Sequence, residues 1–349
     1  MPIRTAGRHL QAKQGWRHFV TRITFLRWFF LGLVAMPLAA QTANNEPWLD
    51  LQSVSIGMRY RMMENDLGAH AQNWSDHHQG LKLRLKLDRG ARYSLSAVAL
   101  NGSSFTAGWN LRGLGGRSSN RLFLKQLYVT AKPRDGVEFQ YGGLPIVRGE
   151  SSEITSYDND GYLMGQRLTV KDLTLTAGYL GDLRNPSVTN RLHRLSEINY
   201  GQILLKRRLT DRLTATADFT DDDGERTLRQ AFVIRPRKMV DLIRLEGYER
   251  VSGSRSAGGA ITFEKPFGRT RIAASLASVD DRYRLVNGDR YGRGTRISFT
   301  GTTALTRDMS LQLFVTRALD GNLAMPNRTR VDVLIRYELA AILRQMLGQ

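Results

Sequence analysis

The sequence predicts an all-β fold, a transmembrane antiparallel β-barrel of about 16 strands, within the range 14–18. Three observations carry this. The first is residues 80–100, where Leu81, Leu83, Leu85 and Leu87 alternate with Lys82, Arg84 and Lys86. Period two is the side-chain repeat of a strand with one apolar and one wet face. Four leucines against nothing but charge is too polarised for a sandwich core and suits a wall between lipid and water. The second is that this hairpin recurs along the chain. The third is that short turns alternate with mostly longer loops, as in barrels whose turns and loops emerge on opposite sides of a membrane.

Taken in order, residues 41–50 form a polar lead-in and residues 51–62 the first strand, with Val54, Ile56, Met58 and Tyr60 alternating. Residues 63–78 read as a polar loop carrying His70, Trp74, His77 and His78. Asp88, Arg89 and Gly90 turn the opening hairpin into Tyr93, Leu95, Ala97 and Ala99, with Ser94 and Ser96 on the other face. A long loop at 101–120 precedes strand four at 122–131, and 132–136 turns into strand five with Val137, Phe139 and Tyr141. A second long loop, 145–160, leads to strand six at 161–170. Lys171 and Asp172 turn into strand seven with Leu173, Leu175, Ala177 and Tyr179, and a loop at 181–196 follows. Strand eight covers 197–209 and strand nine carries Leu213, Ala215, Ala217 and Phe219. The acidic loop 221–225 leads to strand ten at 227–235. Strands eleven and twelve lie at 240–249 and 258–264. A turn at 265–268 gives strand thirteen with Ile272, Ala274 and Leu276. Strands fourteen to sixteen fall at 295–305, 309–315 and 331–337. The barrel is thus expected over 51–337, and 338–349 as a short tail whose Ala, Leu and Met content favours helix.

Bulk properties agree. The chain has 349 residues, no cysteine and a net charge of +19, with a mean hydropathy of −0.35. No run of roughly 18 apolar residues provides a mature spanning helix, whereas a barrel needs apolar residues only at alternate positions. Residues 1–40 read as a secretory signal peptide. Arg4, Arg8, Lys13, Arg17, Arg22 and Arg27 precede a short apolar run ending in small residues, with the cut expected after Ala40. Removing six positive charges leaves 19 − 6 = +13. In an exported chain whose basic residues are spread over many strands, that charge argues against nucleic acid as partner. The expected location is the cell outer membrane, amid its lipid and lipopolysaccharide.

The alternation assigns the inward positions. Lys82, Arg84 and Lys86 oppose leucines, and Arg244 and Glu246 oppose Ile243 and Leu245. Arg271 and Ser275 oppose Ile272, Ala274 and Leu276. Arg296, Ser298 and Thr300 oppose Ile297 and Phe299, and Asp332 and Arg336 oppose Val331, Val333 and Ile335. A charge on the lipid face near mid-bilayer costs about 2–4 kcal/mol, which sends these residues to the lumen or rim. Lys82, Arg84, Lys86, Arg244, Arg271, Arg296 and Arg336 are therefore the expected pore-lining cations, and such rings favour small anionic solutes. Residues 158–161 (DNDG) lack the remaining ligands of a calcium loop and read as a turn. Neither a metal nor another cofactor is expected. The mature histidines His70, His77, His78 and His193 form no Ser/His constellation, so no enzyme is expected.

Residues 122–170 resemble the alginate-export and porin-like outer-membrane families. The carrying segments are LFLKQLYVTAKPRDGVEFQYGG and RGESSEITSYDNDGYLMGQRLTV, with Asp160-Gly161 through Gly165-Gln166-Arg167-Leu168 in the second. The resemblance covers about 50 residues. It implies a passive channel of 16 to 18 strands, not alginate as solute, with a trimer as one assembly such barrels adopt. Such barrels usually end on an aromatic residue read by the barrel assembly machinery. Here the last aromatic is Tyr337, followed by a tail that departs from that pattern. The rival reading is a plugged structural or adhesive barrel that binds partners through its loops. An infolded loop, 101–120 or 145–160, is expected to set the steric limit of the lumen.

Overall fold

The computed structural model describes residues 48–64, 72–102, 119–157, 162–180, 187–236, 240–253, 255–280, 294–320 and 329–346. The expected signal peptide, His70, most of the 101–120 loop and residues 158–161 lie outside the described residues.

Sixteen strands form one closed antiparallel barrel. They are β1 (Leu49–Glu64), β2 (Gln72–Lys86), β3 (Tyr93–Gly102), β4 (Ser119–Arg134), β5 (Val137–Pro145), β6 (Tyr162–Val170), β7 (Leu173–Tyr179) and β8 (Tyr200–Thr210). β9 (Leu213–Asp222), β10 (Glu225–Ile234), β11 (Leu242–Arg250), β12 (Ser256–Phe267), β13 (Thr270–Val279), β14 (Gly294–Ala304), β15 (Met309–Ala318) and β16 (Thr329–Glu338) complete the ring. Each strand pairs with its chain neighbours, and β1 closes on β16 in a register that sets Ile56 beside Tyr337 and Tyr60 beside Val333. Closure removes both sheet edges, which lipid cannot hydrogen-bond. Among the described residues, no helix is long and apolar enough to cross a membrane.

The polarity of the wall is inverted relative to a water-soluble sheet. On β1, Met58 is 66% exposed while its neighbours Arg59 and Arg61 are 6% and 3% exposed. Ile203, Leu276, Ile297 and Ile335 face outward and exposed, while Thr216, Thr220, Ser298 and Thr316 are buried inside. An apolar belt running round the whole barrel far exceeds the few hundred Å² that soluble monomers leave open. Lipid is the solvent this surface fits.

Several strands run beyond their apolar alternation. β2 begins at Gln72, so Trp74, His77 and His78 belong to a strand and not to the loop expected at 63–78. The long partner β1 supplies a backbone ladder down to Met63–Gln72, whatever the side-chain polarity. The acidic loop expected at 221–225 is a two-residue hairpin turn, with Asp223 and Gly224 both at positive φ (51° and 89°). That geometry matches strand twist and suits an Asp-Gly pair. Lys265, Pro266 and Phe267, expected in a turn, finish β12. After β16 the chain forms a short helix, α1 (Ala340–Met346). The Glu338 carboxylate accepts hydrogen bonds from the backbone N–H of Val54 (2.6 Å) and Ala340 (3.3 Å), tying the helix to β1.

Candidate functional site

The segment between β5 and β6 folds into the barrel. It is one of the two loops expected to do so. Polar side chains of the facing wall hold it at intervals. The Gln202 amide donates to Val147 O (2.9 Å), and Thr216 Oγ1 accepts from the N–H of Glu150 (3.1 Å). Arg229 donates to Thr155 O (2.9 Å), and the Tyr157 hydroxyl donates to Asp222 (3.0 Å). Arg167 donates to Pro145 O where the segment leaves β5. Lys206 pairs with Glu150 (2.7 Å).

The firmest anchor is Glu246 on β11. Its buried carboxylate accepts from Ser152 N (2.6 Å), Ser152 Oγ and Thr155 Oγ1 (2.7 Å). Between those donors Ile154, 1% exposed, packs on Tyr248, Ala277 and Val279. At Gly149 the chain has φ +59°, and a Cβ there would overlap the Thr216 side chain. Glycine is required twice over, by the dihedral and by the close approach. Ile146, Tyr157, Leu163, Leu180 and Tyr200 form a second inward cluster at the segment's two ends.

The wall across the ring carries three arginines and an aspartate. β1 and β16 lie eight positions around the barrel from β8 and β9. There Arg61 grips Asp332 with two bonds, Nε to Oδ1 at 2.8 Å and Nη2 to Oδ2 at 2.9 Å. Arg330 reaches the same carboxylate at 2.6 Å and Arg59 at 4.0 Å. Three guanidinium groups thus gather at one carboxylate on the inner face of β1 and β16. The Arg330 guanidinium also lies 5.6 Å from the ring of Phe314, which keeps it against the wall. On the segment's own wall Arg229 lies 3.5 Å from the buried Asp218.

The seven cations expected from the alternation fall into separate places. Lys82, Arg84 and Arg336 line one recess of about 680 Å³ at the end of the barrel where the short turns lie. Lys86 sits half-buried at the same end of β2. Arg244 and Arg271 line a recess of about 210 Å³ beside Ser152 and Ile154, and Arg244 lies 3.5 Å from Glu264. Arg296 faces inward but is enclosed, at 1% exposure, so it meets packed protein instead of open water. A larger recess of about 970 Å³ lies between the infolded segment and the wall from β6 to β10, lined by Arg148, Lys206, Arg208 and Arg235 with Glu150, Asp172 and Asp211. Sequence reasoning missed Arg59, Arg61 and Arg330. The signal was present, because Arg59 and Arg61 alternate with Met58, Tyr60 and Met62.

Fold and inner wall define a closed 16-strand transmembrane β-barrel, the fold that porins also adopt. Solved structures agree at the level of fold. Two engineered variants of the porin from Rhodopseudomonas blastica share 11% identity with this chain, cover 83% of it and 99% of themselves, and superpose with TM-scores of 0.54 and 0.53. A structure described as "Asymmetric conductivity of engineered proteins" shares 12% identity with the same coverage and a TM-score of 0.53. No protein-family model matches the chain, and no curated protein matches it by sequence. The resemblance to the alginate-export family is therefore carried no further.

Proposed function

We propose that this chain is an outer-membrane channel for passive diffusion of small polar solutes, with a preference for anions. The supporting observation is that Arg59, Arg61 and Arg330 point inward from β1 and β16 and meet at Asp332, across the ring from the infolded segment. Cations inside a low-dielectric wall concentrate anions and repel cations, while the infolded segment narrows the path. The reading is non-enzymatic. It places lipid and lipopolysaccharide against the outer belt, assigns insertion to the barrel assembly machinery, and takes a trimer as the assembly to test by native mass. Residues 1–40 act as a cleaved signal, so the mature N-terminus reads Gln41.

The test is single-channel recording from the purified, folded protein in a planar bilayer under a salt gradient. Discrete steps with a reversal potential toward chloride are expected. Steps favouring potassium would keep the channel and overturn its anion preference. A folded, inserted barrel without steps would overturn the channel itself and leave the plugged barrel.

A further inference from the structure

We infer that the recess at the turn end of the lumen is a binding site for multivalent oxyanions, completed by the C-terminal helix. The inference rests on the channel reading and adds a place where the solute pauses. Lys82 and Arg84 come from β2, Arg336 from β16 and Arg344 from α1, and all four line one recess of about 680 Å³. Among the described residues Asp50 is the one carboxylate in that lining, which gives them a net charge of 4 − 1 = +3. Glu338 stands beside it, 3.5 Å from Arg336, and reduces the sum to +2.

Those carboxylates also accept from neutral donors, which share their charge. Asp50 accepts from the Gln52 amide at 3.3 Å. Glu338 accepts from Ser53 Oγ at 2.7 Å and from the N–H of Val54. Lys82 and Arg84 are both exposed to the recess. Arg344 is not a cation on a loose tail. Leu339 N–H donates to Val54 O at 2.6 Å, Ala340 is 2% exposed, and Arg344 Nε donates back to Ala340 O at 3.3 Å.

Gathering like charges in a confined pocket is unfavourable unless an anion neutralises them. A monovalent ion can answer one of these cations. A di- or trivalent oxyanion can bridge two or three, and arginine forks suit phosphate and carboxylate alike. The site therefore selects by charge number, at the mouth through which the turn side is reached.

The experiment uses pyrophosphate as probe, with succinate as the carboxylate arm, added in turn to each side of a bilayer holding the open channel. Millimolar pyrophosphate from the turn side is expected to interrupt the chloride current at concentrations at least tenfold lower than from the loop side. Stronger block by pyrophosphate than by succinate assigns a phosphate-bearing solute, and the reverse order a dicarboxylate. Arg344→Ala and Lys82→Ala should each weaken the block about tenfold, the loss of one charge-assisted contact. Arg344→Lys should restore part of it. Arg226→Ala, a loop-end cation paired with Asp221 outside this recess, should leave the block as it was.

Equal block from both sides, or unchanged block in Arg344→Ala, overturns the inference while leaving the channel standing. Absence of current overturns the channel, and calorimetric titration of pyrophosphate into the folded barrel then decides the recess. Binding that Arg344→Ala weakens supports the site, and binding it leaves unchanged overturns it.

Discussion

Replacing Glu246 by alanine tests whether the infolded segment is held where it lies. The carboxylate accepts three hydrogen bonds from Ser152 and Thr155, and its residue is 7% exposed. A hydrogen bond to a charged group contributes about 1.5–3 kcal/mol, but three on one carboxylate do not add. The substitution also removes the acceptor of the Ser152 N–H and one acceptor from each of the Ser152 and Thr155 hydroxyls. At about 1–3 kcal/mol for each buried donor left short of an acceptor, the loss comes to about 3–5 kcal/mol. The remaining anchors at Thr216, Gln202 and Arg229, with Ile154 in its apolar pocket, are untouched.

At 1.36 kcal/mol per decade, the undocked population of the segment should rise by about two to four orders of magnitude. In Glu246→Ala, single-channel conductance and open-channel noise should increase, larger neutral polymers should enter, and protease should cut between 146 and 157 while the barrel stays folded. Glu246→Gln keeps one oxygen acceptor and should fall between the two. Unchanged conductance, polymer cut-off and protease resistance in a folded Glu246→Ala barrel would refute the claim that this carboxylate seats the segment.

Gly149→Ala should loosen the same segment by a different route, since its Cβ would overlap Thr216 and its φ is +59°. The expected readout is a larger polymer cut-off with the barrel's own melting little changed. Asp332→Asn removes the carboxylate shared by Arg59, Arg61 and Arg330. It should lower barrel stability by about 3–5 kcal/mol in urea titration and move the reversal potential further toward chloride; no change in either would sink the shared-carboxylate account. Phe299→Arg places a charge on the outward face beside Ala274 and Val315. Folding into vesicles should weaken by about 2–4 kcal/mol, and a neutral result would mean that this face does not meet lipid.

The strand count and the two faces of the wall were legible in the sequence because a strand's side chains alternate regardless of what lies beyond them. Leu81 to Leu87 against Lys82 to Lys86 is enough to say which side meets lipid, and the same rule sends Arg244, Arg271 and Arg336 inward. Strand ends were less legible. Above the apolar belt a ladder continues on backbone hydrogen bonds alone, as β2 does from Gln72, and those bonds leave no mark on side-chain chemistry.

Inward direction is a local property, fixed one residue at a time by the sequence. Company is not. That Arg296 is enclosed, that Arg61 and Arg330 meet over Asp332 about 270 residues away along the chain from Arg61, that Glu246 receives Ser152, and that Arg344 joins Lys82 were all decided by closing the ring. Closure brings β16 against β1, and the infolded segment against the wall from β8 to β11. These contacts join residues far apart in sequence, so no local pattern encodes them.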